Sequence, residues 1–158
     1  SIFPYTHIHS YLNIPDTSER DSLFQAESRR CKEIIDIIRN TESKNTRHYG
    51  IFDELYSGTN PYEAIGSATS FLKYLNNIDN VSFVITTHFI DLCKKLESIE
   101  NITNKHMHIE EINNDFNYKY KLVKGISNVK GGVKVLKELN YPQEIIDGTV
   151  NIISKLHI

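Results

Sequence analysis

The hydrophobic period of this chain switches repeatedly between that of a strand and that of a helix, and no other feature limits its fold as much. The segment "YTHIHSYLNI" (5–14) alternates and is rich in Tyr, Ile and Thr, so it reads as a strand, closed by the turn residues of "IPDTSE". From Ser22 to about Arg39, Leu23, Phe24, Cys31, Ile34, Ile35 and Ile38 fall near three- and four-residue spacing, one face of an amphipathic helix. A polar loop, "TESKNTR", leads to "HYGIF", a short buried strand ending at Asp53. Thr59 and Asn60 are candidate caps and Pro61 suits a first helical turn, so a second helix runs to about Asn76, with Ala64, Ile65, Ala68, Phe71, Leu72 and Leu75 on its apolar face. "NVSFVITTH" is then expected as a second buried strand, followed by a short helix over 89–97. "KHMHIEEI" and "YKYKLVKG" alternate around an Asn-Asn-Asp turn and predict a hairpin. The tail from Gly132 to about Leu156 holds two short helices separated by "NYPQ". Strands alternating with helices give an α/β fold, a largely parallel sheet flanked by helices, with a terminal hairpin and a helical tail.

Composition narrows the function. The 158 residues fit one domain, with 39% apolar and 24% charged residues, the balance of a globular chain. A formal net charge of -2 gives no overall basic footprint, which argues against this segment being a main grip on nucleic acid. No apolar run approaches a bilayer span, and residues 1–20 lack the pattern of a signal peptide, so no membrane partner and an intracellular setting, cytoplasm or nucleus, are expected. Cys31 and Cys93 stand far apart with no Cys-x-x-Cys pair, which disfavours a disulfide framework or a zinc clip.

The stretch "HYGIFDELYSGT" (48–59) delivers two adjacent acids, Asp53 and Glu54, at the end of a buried strand. Unpaired buried carboxylates cost several kcal/mol, so both must reach solvent, a cation or a hydrogen-bond network. A plain strand end with solvated acids is one reading. The other is a Walker B end, where Asp53 holds Mg2+ through water and Glu54 positions the attacking water. The next strand ends in His88, and neighbouring carboxyl ends of a parallel sheet line one crevice. His88 is then either a sensor of phosphate or water, or a cap for the helix starting at Phe89.

Asp53-Glu54, the turn Ser57-Gly58-Thr59 and His88, in this order and spacing, resemble the ATPase domain of the MutS mismatch-repair family. Two further stretches resemble it. "DSLFQAE" (21–27) is similar to the family's signature segment through Ser22, Phe24 and Glu27, and "GISNVKGGVKVLKELNYPQEIIDGT" is similar to the C-terminal end of the family's domain. The resemblance covers nearly the whole chain and implies the C-terminal half of an ABC ATPase domain of the P-loop NTPase-like class, over 1–127, with its helical tail over 128–158. It implies ATP and Mg2+ as cofactors, Asp53 on the metal, Glu54 and His88 as catalytic groups, and Ser22 touching the nucleotide of a partner subunit. Ser57, Gly58 and Thr59 would form the D-loop facing that partner, in a homodimer or a heterodimer of paralogues. Mismatched double-stranded DNA would be held by domains outside this chain. Read without the resemblance, Ser22 is equally an ordinary N-cap and the Ser57-Gly58-Thr59 turn an ordinary approach to a helix.

Three features depart from the family's pattern. None of the seven glycines opens a G-x-x-x-x-G-K-[ST] loop, so the phosphate cradle is expected upstream of residue 3, removed by N-terminal truncation, and ATP hydrolysis is not expected of this chain alone. Glu19 and Asp21 flank Ser22, where acids repel phosphate and only Arg20 offsets them, and "NVKGG" replaces the second hydroxyl expected after Ser127. A catalytically silent dimerisation module and another DNA-associated ABC ATPase are the alternative functions. His7 with His9, and His106 with His108 and Glu110, share strand faces that suggest metal. A solvated face of an edge hairpin explains such alternation without a cofactor. "KYKLVKG", with Tyr118 and Tyr120, is a half-buried strand by the same alternation, rather than an aromatic and basic strip for nucleic acid.

Overall fold

The computed structural model describes residues 3–12, 22–41, 45–112, 115–127, 129 and 131–155. The expected end of the first strand, the turn after it, Glu19, Asp21, part of the "TESKNTR" loop, the Asn-Asn pair of the hairpin turn and Leu156 lie outside those residues. The chain separates into two compact units, 1–102 and 103–158.

In the first unit, β1 (His7–Tyr11), β2 (His48–Asp53) and β3 (Val81–Thr86) form a parallel sheet in the order β1-β2-β3. Parallel neighbours need a crossover, and two helices supply it: α1 (Leu23–Asn40) between β1 and β2, α2 (Pro61–Asn76) between β2 and β3. A short helix, α3 (Ile90–Glu97), packs against α2. Each crossover helix starts where its chemistry dictates. Ser22 caps α1 in a reciprocal box with Gln25. Asn60 caps α2 by accepting the Glu63 N–H at 3.1 Å, with Pro61 at the first helical position.

Strand alternation sorts the sheet into two faces. His9, Tyr11, His48 and Phe52 are buried on one side, in a core with Ile34 and Ile38 of α1, Leu72 and Leu75 of α2, and Leu92 of α3. Phe52 is its centre, meeting Phe71 edge-on with ring centroids 5.4 Å apart and Phe83 at 6.4 Å. The opposite side is open: Ile8 is 71% exposed and Val84 46%. This corrects the reading of "NVSFVITTH" as a fully buried strand. Among the described residues β3 pairs only with β2 in the sheet and has one open face, so its residues are half-buried or exposed.

In the second unit, β4 (Lys105–Ile112) and β5 (Asp115–Lys124) make an antiparallel hairpin with an irregularity between Met107 and Ile109. Helices α4 (Gly131–Glu138) and α5 (Gln143–Lys155) pack on each other. Asn140, left-handed at φ 55, ends α4, and the Tyr141 N–H turns back to the Leu136 carbonyl at 3.0 Å. Among the described residues, no helix is long and apolar enough to cross a membrane.

Candidate functional site

The carboxyl ends of β2 and β3 meet as the parallel pairing requires, with Asp53 opposite Thr86. The Thr86 hydroxyl donates to Asp53 Oδ1, and the Glu54 N–H donates to the Thr86 carbonyl at 3.0 Å. Beyond that last rung the chain turns sharply: Glu54 is left-handed, φ 51, and so is Tyr56, φ 59. Side chains with a Cβ rarely adopt this conformation, and it gathers where surrounding structure imposes it. The turn brings Glu54 Oε1 to 3.1 Å from His88 Nδ1, both side chains remaining open to solvent. His88 does not cap α3. The N-cap position is Phe89, without a side-chain cap bond, and its N–H goes to the Thr87 hydroxyl oxygen at 3.1 Å.

The turn after the acids is tied back to α1. Ser57 Oγ donates to Glu27 Oε1 at 3.1 Å and the Gly58 N–H donates to Glu27 Oε2 at 3.1 Å. Leu23 fills the space over Gly58, where an added Cβ would stand 2.5 Å from the leucine Cγ. Tyr56 sits against Phe24, ring centroids 5.7 Å apart, and its N–H donates to the Tyr11 hydroxyl at 3.2 Å. Burial pushes the phenols of Tyr11 and Tyr56 up and lifts the Cys31 thiol to about 11, so all three are neutral near pH 7. Thr59 donates to Glu63 in the first turn of α2.

Ser22 is engaged within its own helix: its oxygen accepts the Gln25 N–H at 3.3 Å, and its N–H donates to Gln25 Oε1 at 2.8 Å. The cap uses a lone pair and leaves the O–H free to donate. The structure therefore joins Asp53, Glu54 and His88 in one group and Ser57 and Gly58 to α1, while Ser22 stands at the start of that helix. Sequence reasoning missed the anchoring role of Glu27 and the hydroxyl of Thr86. A signal for the first was present, because Glu27 interrupts the apolar stripe of Phe24, Cys31, Ile34 and Ile38 with an acid.

A second polar cluster joins β1 to the amino end of β2. His9 is 5% exposed and His48 fully buried, with His9 Nε2 3.0 Å from His48 Nδ1 and the His7 ring stacked on His48 at 4.8 Å. The histidines of β1 are thus not on a solvated face, because α1 covers the side of the sheet to which His9 belongs. Proton positions follow from the partners. Thr41 donates its hydroxyl proton to the Ile37 carbonyl at 2.6 Å, so towards His48 Nε2, at 3.5 Å, it acts as an acceptor. Neutral His48 then carries its proton on Nε2, and His9 Nε2–H is the donor to Nδ1. In the second unit, Glu110 takes Lys119 at 2.8 Å and His108 at 3.5 Å, while His106 Nδ1 meets the Gly125 carbonyl at 3.1 Å. Lys119 and His108 hold the Glu110 carboxyl below its usual range.

A family model described as MutS domain V matches residues 5–157. The chain is 24% identical over 153 residues to the "DNA mismatch repair protein MutS" of Ehrlichia chaffeensis, covering 94% of this chain and 19% of that protein. It is 27% identical over 139 residues to the protein of the same description from Orientia tsutsugamushi, covering 86% and 15%. For that of Aquifex pyrophilus the identity is 24% over 124 residues, covering 78% and 14%. The chain therefore spans less than a fifth of the length of these relatives.

Proposed function

Because this chain belongs to the MutS domain V family, we propose that it carries the hydrolytic acids of an ABC-type, P-loop NTPase-like ATPase domain, whose ATP turnover switches the DNA-bound state of a mismatch-repair protein. The contact of Glu54 with His88 is the observation that carries this reading. Two strand ends far apart in sequence converge on one spot open to solvent, through a backbone conformation that an ordinary strand end does not need.

The roles follow from donor and acceptor chemistry. A carboxylate only accepts, so His88 Nδ1 carries the proton of their hydrogen bond and its Nε2 is left for the water or phosphate oxygen of a substrate. Glu54 has a second carboxylate oxygen with which to orient the attacking water. The donor set suits magnesium. Mg2+ takes one or two carboxylates and completes an octahedron with water and phosphate oxygens. Among the described residues no three His, Cys, Asp or Glu side chains could hold an ion by themselves. Asp53, steadied by Thr86, would hold Mg2+ through water, and the ion would supply charge neutralisation at the phosphates. Ser22 would use its free O–H towards the nucleotide of a second subunit, identical or paralogous, with Ser57, Gly58 and Thr59 facing that subunit. Mismatched duplex DNA falls to other parts of the protein, in keeping with the net charge of -2 here.

In the full-length protein, Glu54→Gln is expected to leave Mg-ATP binding intact and abolish turnover. Undiminished hydrolysis by that variant would remove Glu54 from the mechanism.

A further inference from the structure

Among the described residues one acid is buried, and it is outside the pair at the strand ends. Glu27 is 2% exposed on the inward face of α1. A carboxylate in such a place must have its lone pairs filled. Its donors come from the turn that follows the acids: the Ser57 hydroxyl and the Gly58 N–H, one on each oxygen. The Tyr11 hydroxyl lies beside the same carboxylate and accepts the Tyr56 N–H. Leu23, Phe24, Glu27 and Cys31, spaced along one face of α1, thus meet Gly58, Tyr56, Ser57 and the Tyr56 hydroxyl in turn. Residues 56–58 are bound to the first turns of the helix that Ser22 caps.

The same turn holds the left-handed Glu54 and Tyr56, a conformation that side chains with a Cβ relax from unless neighbours impose it. Polar anchorage on both oxygens of a buried carboxylate is such a constraint.

We propose that Glu27 is the positioning residue for Glu54: by anchoring Ser57 and Gly58 to α1 it keeps the turn in the form that points Glu54 at His88. It thereby makes the start of α1 and the acid pair one body. The inference rests on the nucleotide reading above.

The test uses full-length protein carrying Glu27→Ala, Glu27→Gln and Ser57→Ala, read by steady-state Mg-ATP hydrolysis and by amide hydrogen exchange over residues 55–60. Glu27→Ala is expected to lower kcat about 10- to 100-fold with KM for ATP nearly unchanged, the mark of lost alignment rather than lost binding. Glu27→Gln should recover most of it, because the amide oxygen can accept the Gly58 N–H while the Ser57 hydroxyl reverses to accept the amide proton. The Gly58 amide should exchange faster in the alanine variant and at the parent rate in the glutamine variant. If Glu27→Ala does not fold, Ser57→Ala, which deletes one hydroxyl, should still lower kcat about fivefold at constant KM. An unchanged kcat in the folded Glu27 or Ser57 variants, beside an inactive Glu54→Gln, overturns the positioning role and leaves the nucleotide reading standing. Parent protein that neither binds nor hydrolyses ATP overturns the nucleotide reading instead, and unaltered Gly58 exchange then overturns the anchorage as well.

Discussion

Lowering the pH from 7 to 5 sets the buried histidine pair against the fold. Burial above all, then the neighbouring His48 and His7 rings and the Arg30 guanidinium, lowers the His9 imidazole from 6.5 to about 4. Burial and His7 shift His48 in the same direction. A base whose affinity for protons is reduced by folding leaves the unfolded chain binding more protons, so stability rises with pH. The contribution is complete above about 6.5 and is lost as pH falls towards 4. At pH 5 the unfolded imidazole is nearly all protonated while the folded one is about nine-tenths neutral, and the resulting loss between pH 7 and 5 is about 2 kcal/mol from His9 alone. The hydrogen bonding agrees in direction, because a proton added to His48 Nδ1 would face the His9 Nε2–H at 3.0 Å. Urea unfolding at fixed ionic strength between pH 7 and 5 measures the loss, a window above most carboxylate titration. In His9→Gln the side-chain amide keeps a donor for His48 Nδ1 without titrating, so the slope should shrink by about 2 kcal/mol over the same window. A parent protein equally stable at pH 5 and 7, or a His9→Gln variant with the parent slope, would refute the argument.

Two further outcomes follow from packing. Gly58→Ala would drive its Cβ to 2.5 Å from Leu23 Cγ and 2.8 Å from Leu23 Cβ, so the start of α1 itself must shift. A loss of about 1–3 kcal/mol is expected in chemical denaturation, and a neutral substitution would contradict the close approach. Cys31 is buried and its thiol is held at about 11, against 9.0 for a free thiol, so iodoacetamide at pH 8 should modify it about 100-fold more slowly in native than in unfolded protein. Peptide mapping reads both rates, and equal rates would show the helix face to be open.

Much of the first unit was legible because helix and strand signals are local. The Asn60-Pro61 start of α2, the capping of α1 at Ser22 and the strand ending at Asp53 are each written within a few residues. Convergence of His88 with the acids also followed from a general rule about parallel strand ends, which needs only the order of elements. What local sequence cannot carry is the pairing of segments. "NVSFVITTH" reads as buried from its apolar content, yet the exposure of Val84 depends on what lies on each side of β3. His7 and His9 alternate like an exposed strand, yet parallel register with β2 sets His7 against His48, and α1 closes the face above them.

The sequence by itself determined most elements and the acid pair at a strand end, since each depends on residues close together along the chain, and it pointed to the family through several such short stretches taken in order. Only the tertiary structure decided that Glu27 holds Ser57 and Gly58, that Glu54 turns towards His88, and that His9 and His48 share one proton between ring nitrogens. Those contacts join residues 30 or more positions apart, and their partners are chosen by strand register and helix packing, which no local period encodes.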